Sequence, residues 1–480
     1  MGAVTKDIVS IYAASDGVGL ADLVHRGEVT PSELVEAAIT IIERLNPRLN
    51  AVIHRLDAMG LAAAEQVDRS APFAGVPYLL KELGSAWEGA PVTNSCAFLK
   101  DVVASADSTV VKRIKAAGFL LVGKSNAPEN GWCISTEPKL YGATRNPWGE
   151  GITAGGSSGG ASAAVASGMV PIAESSDAAG SIRVPASCCG VVGLKPSRGR
   201  ITIDPLADLW HGSANFLCNS RTVRDTAAYL DAVAGYLPGD PYTPTVPSDS
   251  WAALARIEPS RLRIGFTATP MGGRAIDVEI ARAVRQTAQG LERLGHSVEE
   301  HDMGLDVDAA WAVYPRIGCV QTAAFFGFME TQLGRAVTPA DVEPVTWAII
   351  ERGRATSGIG HLQDIDTVRR MGRSVALDLA PYDVFITPML TQKPRPLGYY
   401  DMSIPDLDRY NALWSDAAFA FPFNMSGQPA VSLPLHQAAD GTPIGLQFVG
   451  RFGDEATLLA LASVLEREMP WADRRPPITA

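Results

Sequence analysis

Three short segments place hydroxyl and amine side chains where the chain is otherwise small and apolar. Residues 153–162, TAGGSSGGAS, hold four glycines and three serines, and Ser181 lies 24 residues beyond Ser157 in a second small-residue segment, SDAAGS. Lys81 follows two leucines in GVPYLLKEL. A serine hydroxyl attacks a carbonyl only when a base takes its proton, and a lysine serves as that base once burial has lowered its pKa. The combination predicts acyl transfer through a serine nucleophile.

The glycine and serine segment has two further interpretations. A flexible linker lies in polar surroundings, whereas this segment runs into ASAAVASGMVPIAESSDAAG, which is small, apolar and almost free of charge. A phosphate-binding loop needs GxxxxGK[ST] or GxGxxG, and neither pattern is present. The composition therefore favours a buried turn.

GGSSG also matches GxSxG, the nucleophile elbow of another hydrolase fold. That motif needs a strand before the serine and an acid and a histidine after it. The preceding RNPWGEGI is not typical of a strand. Five histidines follow in the required order without distinctive neighbours, so this alternative stays open: His211, His296, His301, His361 and His436.

The ordered segments GVPYLLKEL, AGGSSGGASAA and SDAAGSIRVPASCCGVVGLKPSRGRI resemble the amidase signature family of serine hydrolases. The resemblance continues through FNMSGQPAVSLPL and GTPIGLQFVGRFGDEATLL and covers most of the chain. Within the family, TEPKLYGATRNPW and the ending PWADRRPP are most similar to the 6-aminohexanoate cyclic-dimer hydrolases.

The resemblance implies a role for each of these polar residues. Ser181 would be the nucleophile, Ser157 a bridging serine held by a cis peptide bond after Gly156, and Lys81 the terminal base. Backbone N–H groups would form an oxyanion hole, and they would come from Ala178, Ala179, Gly180 and Ser181. The family more often has glycine where Ala178 and Ala179 stand, which leaves the geometry of this hole open.

Other positions are predicted to support or line the site. Arg183 is expected to brace the turn through a carboxylate such as Asp177. Gly131, Cys133 and Cys319 are the predicted substrate-binding residues. Cys319 lies in the apolar run RIGCVQTAAFFGF, where a core thiol is the alternative interpretation.

The resemblance implies hydrolysis of a C–N bond through an acyl-enzyme, without a cofactor or metal. The expected substrate is an uncharged small molecule, either a linear or cyclic amide (oligoamide or lactam-like) or a carbamate. Two alternatives remain: the glutaminase subunit of a tRNA-dependent amidotransferase, and a non-catalytic ligand-binding scaffold. A homodimer is also left open.

Composition limits the partners and the compartment. The net charge of −11 disfavours nucleic acid and anionic lipid, and no run of 18 apolar residues predicts a membrane span. The first residues, MGAVTKDIVSIYAASDG, lack the pattern of a signal peptide. The six cysteines contain no CxxC pair and the seven histidines no HExxH, so we expect reduced thiols, a cytoplasmic location and no metal.

Helical and strand patterns alternate along the chain. A capping box at Thr30 and Glu33 opens a helix with apolar positions at helical spacing, and strand-like runs FLLVG and RLRIGF follow later. This alternation predicts an α/β fold, which by resemblance is a mixed twisted β-sheet covered on both faces by α-helices. We expect one domain over 1–480, with 240–400 the least distinctive part and a candidate substrate-side helical region. The proline-spaced residues 237–250 are expected to form a surface connection.

Overall fold

The computed structural model describes residues 6–480, without the side chains of residues 6 and 7, and contains a central sheet of eleven strands. A separate two-stranded ribbon is formed by β4 and β5. The strands are β1 Val52–Arg55, β2 Pro77–Lys81, β3 Leu120–Ser125, β4 Arg145–Asn146, β5 Gly149–Thr153, β6 Ile172–Asp177, β7 Val192–Lys195, β8 Asn215–Ser220, β9 Arg263–Phe266, β10 Ser297–Glu300, β11 Val384–Pro388, β12 Ala430–Gln437 and β13 Pro443–Gly450.

Helices flank this sheet, which confirms the predicted α/β class. Within the described residues they are α1 Lys6–Ala14, α2 Gly17–His25, α3 Pro31–Leu49, α4 Asp57–Ala64, α5 Thr109–Ala116, α6 Gly159–Ala166, α7 Arg183–Cys189, α8 Val223–Val233, α9 Trp251–Leu254, α10 Val278–Arg293, α11 Val307–Leu333, α12 Pro344–Ala355, α13 Gly358–Asp378, α14 Leu407–Ala412, α15 Pro422–Ser426 and α16 Glu455–Glu468.

The sheet is mixed, with the strand order β1-β3-β2-β6-β8-β7-β12-β13-β11-β9-β10. β2 pairs in parallel with β3 and β6, and β9 pairs in parallel with β10 and β11, whereas the remaining neighbours are antiparallel. Strands from before and after residues 237–250 belong to the same sheet. These residues form the loop between α8 and α9, as the proline spacing predicts.

Helix α3 illustrates how the sequence signals become structure. Thr30 Oγ1 accepts a hydrogen bond from Glu33 N at 3.2 Å, and Glu33 Oε2 accepts one from Thr30 N at 2.7 Å, so the predicted capping box is present. The apolar positions of the helix are buried against the core, among them Leu34, Ala38, Ile41, Ile42 and Leu45.

The ribbon β4–β5 corrects one sequence-based interpretation. RNPWGEGI is not typical of a strand because glycine and proline disfavour strands. Pairing overrides this local preference: Arg145 and Asn146 pair with Thr153 and Gly149. Thr153 N also donates to Arg395 O at 2.8 Å, a contact from far along the chain.

The parallel pair β2 and β6 positions the predicted chemistry. Parallel neighbours end at the same edge of a sheet, so Lys81 at the end of β2 lies beside the last residues of β6. All five residues of β2 are buried. This edge carries the site described next.

No helix within residues 6–480 is long and apolar enough to cross a membrane. The prediction that the first residues do not form a signal peptide concerns residues 1–5 in part, and these lie outside the described residues.

Candidate active site

The Lys81 ammonium group lies among hydroxyl groups in the protein interior. Lys81 Nζ is 2.8 Å from Ser157 Oγ and 2.9 Å from Ser176 Oγ, and the side chain is fully buried. The structure therefore brings the predicted base and the predicted bridging serine into direct hydrogen-bond contact. Sequence reasoning missed Ser176, since no local pattern marks a strand residue that faces the lysine.

Burial lowers the pKa of Lys81 to about 7, although the negative charges of Glu174 and Asp177 act in the opposite direction. A substantial fraction of this amine is therefore neutral near pH 7. Glu174 is itself buried, and burial raises the pKa of its carboxyl to about 7. Glu174 Oε2 accepts the Lys81 backbone N–H at 3.1 Å, which holds the carboxyl group beside the backbone of Lys81.

Ser157 follows a cis peptide bond between Gly156 and Ser157, as the family resemblance implies. Gly156 leaves no space for a side chain: a Cβ there would lie 2.5 Å from Cys133 O and 2.7 Å from Ser135 N. The glycine is therefore required by the close approach of the 133–135 backbone to this turn.

The buried turn is the interpretation that the structure supports for residues 153–162. Every residue of α6, which begins at Gly159, is buried, which excludes a linker. The hydroxyl of Ser157 contacts a lysine rather than a histidine. His211 and His361, two candidates for a nucleophile elbow, instead contact each other with their Nε2 atoms 3.1 Å apart.

Ser181 lies in the turn that joins β6 to α7. Its carbonyl oxygen accepts a hydrogen bond from Ser158 N at 3.3 Å, which ties this turn to the Ser157 turn through the backbone. Within the described chain no hydrogen bond joins the hydroxyls of Ser157 and Ser181. The two serines are thus neighbours, but only Ser157 contacts Lys81 directly.

Asp177 holds the Ser181 turn in place. Its Oδ1 accepts the Gly180 N–H at 2.7 Å, and its Oδ2 accepts the Ile182 N–H at 3.1 Å. Arg183 donates to both carboxylate oxygens at 2.9 Å, and both side chains are fully buried. This confirms the predicted bracing of the turn by Arg183 through Asp177.

Arg183 also reaches distant parts of the chain. It donates to Ala420 O at 2.9 Å, to Gln447 Oε1 at 2.5 Å and to Asn424 Oδ1 at 2.7 Å. Asn424 Nδ2 in turn donates to Asp177 Oδ1 at 2.9 Å. These partners lie more than 230 residues away along the chain, and the sequence marked none of them with a role.

The four predicted oxyanion-hole donors are not equivalent. The Gly180 N–H is occupied by Asp177, whereas the N–H groups of Ala178, Ala179 and Ser181 have no acceptor within the described chain. Tyr314 OH donates to Ala178 O, which fixes the peptide at the start of the turn. Gly180 has φ +119° and faces Ala420 so closely that a Cβ would lie 2.7 Å from its Cβ.

The predicted substrate-binding residues separate into two groups. Gly131 is beside the bridging serine, since a Cβ built on it would lie 3.4 Å from Ser157 Oγ. The Cys133 thiol instead donates to Tyr400 O at 3.5 Å, and burial raises its pKa to about 12. Cys319 is a buried residue of α11, and burial likewise raises the pKa of its thiol to about 12. Both thiols are therefore protonated core groups at neutral pH.

Aromatic side chains extend from the Ser181 turn. The ring of Tyr314 lies 5.6 Å from that of Trp210, which lies 5.0 Å from that of Trp132. Phe421 packs 5.6 Å from Tyr314 and 4.9 Å from Trp311. We call these five residues the aromatic wall. Trp311 and Tyr314 come from α11, so the least distinctive part of the sequence supplies part of this wall.

Residues 6–480 contain no group of three or more histidine, cysteine, aspartate or glutamate side chains that could hold a metal ion.

Comparisons with known proteins identify the family of this chain. The amidase family model matches residues 33–459. The chain is 41% identical over 475 residues to the 6-aminohexanoate-cyclic-dimer hydrolases of Pseudomonas sp. (strain NK87) and of Paenarthrobacter ureafaciens, covering 96% of this chain and of each relative. The solved structure of 6-aminohexanoate cyclic dimer hydrolase complexed with substrate superposes with a TM-score of 0.93 at 38% identity, covering 98% of this chain and 100% of that one. The chain therefore belongs to the amidase family and is an amide hydrolase acting on carbon–nitrogen bonds other than peptide bonds.

Proposed function

We propose that the chain hydrolyses an uncharged, partly apolar amide through Ser181, Ser157 and Lys81. Neutral Lys81 accepts a proton from Ser157 while Ser157 accepts one from Ser181, and Ser181 Oγ attacks the amide carbonyl. The N–H groups of Ala178, Ala179 and Ser181 stabilise the negative charge that develops on the carbonyl oxygen.

The second half of the cycle reverses the proton transfer. The proton on Lys81 returns through Ser157 to the amide nitrogen, the C–N bond breaks, and the amine leaves while the acyl group stays on Ser181 as an ester. Water then attacks this ester and passes a proton through Ser157 to Lys81. The ester C–O bond breaks, the carboxylic acid is released, and the proton on Lys81 returns through Ser157 to Ser181 Oγ. A serine hydroxyl can both donate and accept a hydrogen bond, and such a relay requires both.

One observation carries this proposal: Lys81 Nζ lies 2.8 Å from Ser157 Oγ at a fully buried position, where burial lowers the pKa of the lysine to about 7. A buried lysine with ordinary pKa would be protonated and unable to accept a proton. The contact with Ser157 Oγ distinguishes Lys81 from Lys195, a second buried lysine with a lowered pKa, which donates to the carbonyl oxygen of Pro196.

The aromatic wall supports an uncharged substrate with apolar parts. The first substrate to test is the cyclic dimer of 6-aminohexanoate, because relatives 41% identical to this chain are named for its hydrolysis. Linear oligoamides and carbamates present the same carbonyl and come next. The position of Trp311 and Tyr314 on α11 supports the substrate-side role proposed for residues 240–400 within one domain spanning 1–480.

The glutaminase subunit of a tRNA-dependent amidotransferase is the second candidate, because it would use the same triad on glutamine. A non-catalytic scaffold would not need Lys81, Ser157 and Ser181 together. We also propose a reducing compartment such as the cytoplasm, since all six cysteines are free and buried. Assembly as a homodimer is open to sedimentation analysis.

The test is a hydrolysis screen with the wild type, Ser181→Ala and Ser187→Ala. Ser187 is the matched control, because it is a buried serine of α7 whose hydroxyl accepts the Gly445 N–H at 3.1 Å rather than facing Lys81. We expect the wild type and Ser187→Ala to hydrolyse the cyclic dimer, and Ser181→Ala to be inactive while remaining folded by circular dichroism.

The outcomes separate the candidates. Equal activity in the wild type and Ser181→Ala rejects Ser181 as the nucleophile. Release of ammonia from glutamine that rises on addition of partner proteins, without cyclic-dimer hydrolysis, supports the amidotransferase subunit instead. If the wild type cleaves aryl amides or carbamates but not the cyclic dimer, the proposed mechanism is retained and the proposed substrate is replaced.

A further inference from the structure

A pocket of about 440 Å³ lies apart from the active site, and Lys81, Ser157 and Ser181 do not line it. Its wall includes Ala166 at the end of α6, Cys189 at the end of α7, and the C-terminal segment from Trp471 to Pro476. Part of the sequence motif PWADRRPP therefore forms one side of this pocket, and the proposed amide hydrolysis gives that motif no role.

The pocket is rich in arginine in a protein whose net charge is −11. Four arginines line it, against two carboxylates, Asp16 and Glu466. Asp16 is already paired with Arg224, whose Nε and Nη2 each donate to it at 2.5 Å. Glu466 accepts the Val223 N–H at 3.2 Å. Asp16 therefore pairs with one of the four pocket arginines, and Glu466 accepts a backbone N–H group.

The other three arginines have no carboxylate partner among the described residues: Arg221, Arg474 and Arg475. Arg221 donates to the carbonyl oxygens of Ala13 and Ser15, and Arg474 donates to Pro470 O at 3.2 Å. Arg475 has no hydrogen-bond acceptor within residues 6–480. Burial and the nearby charge of Arg475 lower the pKa of Arg221, although the charges of Asp225 and Asp16 act in the opposite direction.

Two indole rings complete the pocket. Trp148 Nε1 donates to Cys189 O at 2.7 Å, and Trp471 Nε1 donates to Arg221 O at 3.0 Å. Since both indole N–H groups are satisfied by the protein, these side chains offer apolar ring surface to a ligand. The pocket therefore combines a positive end with an apolar wall.

We infer that this pocket is a second binding site, for a small organic carboxylate whose charged group contacts Arg475 and Arg221 and whose apolar part packs on Trp148 and Trp471. Arginine presents a planar set of N–H donors that matches a carboxylate in two parallel hydrogen bonds. The acid released by amide hydrolysis is the first ligand of this class to test; that choice, unlike the site itself, rests on the proposed function.

The test is isothermal titration calorimetry with hexanoate, with hexan-1-ol as an uncharged counterpart that has no amide bond to hydrolyse, and with inorganic phosphate. The enzyme forms are the wild type, Arg475→Gln and the control Arg261→Gln. Arg261 is an exposed arginine outside the pocket. We expect hexanoate to bind the wild type and Arg261→Gln alike, and Arg475→Gln to bind it at least about tenfold more weakly, the size of one lost charge-assisted hydrogen bond.

Three results would overturn the inference. One is equal hexanoate affinity in the wild type and Arg475→Gln. Another is binding of hexan-1-ol with the same dependence on Arg475. The third is binding of phosphate without binding of hexanoate. Hydrolysis and hexanoate binding are also measured in Ser181→Ala, which separates this inference from the proposed function. If Ser181→Ala still hydrolyses amides, Ser181 is rejected as the nucleophile. The pocket is retained as long as hexanoate binding depends on Arg475.

Discussion

The substitution Asp177→Asn tests how the Ser181 turn is held. Asp177 accepts two backbone N–H groups of the turn and two N–H groups of Arg183, all in the protein interior. Asparagine keeps the shape, but it removes the charge and turns one acceptor into a donor that faces other donors. Removing one partner of a buried ion pair costs about 3–5 kcal/mol, because the remaining charge stays buried without compensation.

The same substitution should slow catalysis. The donors of Ala178, Ala179 and Ser181 depend on the turn that Asp177 anchors, and a displacement of about 1 Å in a catalytic group can cost about 10²-fold in rate. We therefore expect Asp177→Asn to lower kcat by about 10²-fold and the free energy of unfolding by about 3–5 kcal/mol. Urea unfolding followed by circular dichroism and steady-state hydrolysis measure the two effects.

The matched control is Asp366→Asn. Asp366 pairs with Arg370 on the surface of α13, where both side chains are more than 60% exposed, and an exposed pair of this kind contributes little. A loss of unfolding free energy in Asp177→Asn no larger than in this control would refute the assignment of Asp177 as the anchor. So would an unchanged kcat.

The pH dependence of stability follows with a definite sign. Burial acts to raise the pKa of Asp177, but the Arg183 charge and the hydrogen bonds outweigh it and hold that pKa far below its ordinary value. The stabilisation is therefore present above the unfolded-state pKa of about 3.9 and is lost as the pH falls towards the folded-state pKa. Asp177→Asn should lack this acid-dependent loss.

Three further substitutions test other parts of the site. Glu174→Gln removes a negative charge that raises the pKa of Lys81. Because Lys81 then loses its proton at lower pH, the acidic limb of the kcat/KM profile should move to lower pH. An unmoved limb or a shift to higher pH would contradict this. Gly156→Ala places a Cβ 2.5 Å from Cys133 O and should abolish most activity. The control Gly151→Ala, whose Cβ meets no atom within 4 Å, should stay active. Equal activity of the two variants would argue against close packing of Gly156 on the backbone of Cys133. Tyr314→Phe removes the hydrogen bond to Ala178 O and should lower kcat about fivefold to tenfold with little change in KM. The control Tyr382→Phe loses only a hydrogen bond to Glu299 on another part of the sheet. A change confined to KM would show that Tyr314 contacts substrate instead.

Local signals in the sequence were sufficient to predict much of the fold. The capping box of Thr30 and Glu33 and the buried strand ending at Lys81 depend on neighbours within a few residues, and both are present. The contact between Lys81 and Ser157 was expected from the family resemblance rather than from spacing, since 76 residues separate them.

Long-range contacts account for what the sequence left out. Strand β5 contains two glycines, and its pairing with Arg145 and Asn146 overrides their low strand propensity. Asn424 and Gln447 could not be predicted as partners of Arg183, because only the folded structure brings these distant segments together. The occupied N–H of Gly180 is different, because its acceptor Asp177 lies only three residues earlier, within SDAAGS.

Cys133 and Cys319 illustrate a different limit. An apolar neighbourhood is common to core residues and to pocket walls, so the sequence could not distinguish between the two. Both cysteines are buried, which favours the core interpretation, and their substrate-binding role stays a prediction. Gly131, by contrast, lies next to Ser157, and its substrate-binding role stays a prediction.

The central claim is that a neutral Lys81 draws a proton from Ser181 through Ser157. The most direct measurement is the rate of covalent labelling by a serine-directed fluorophosphonate as a function of pH, with the labelled residue identified by mass spectrometry. We predict a single adduct on Ser181, formed at a rate that rises through about pH 7 as Lys81 loses its proton, and slow labelling without this rise in Lys81→Met. An adduct on another serine, or the same pH dependence in Lys81→Met, would contradict the account.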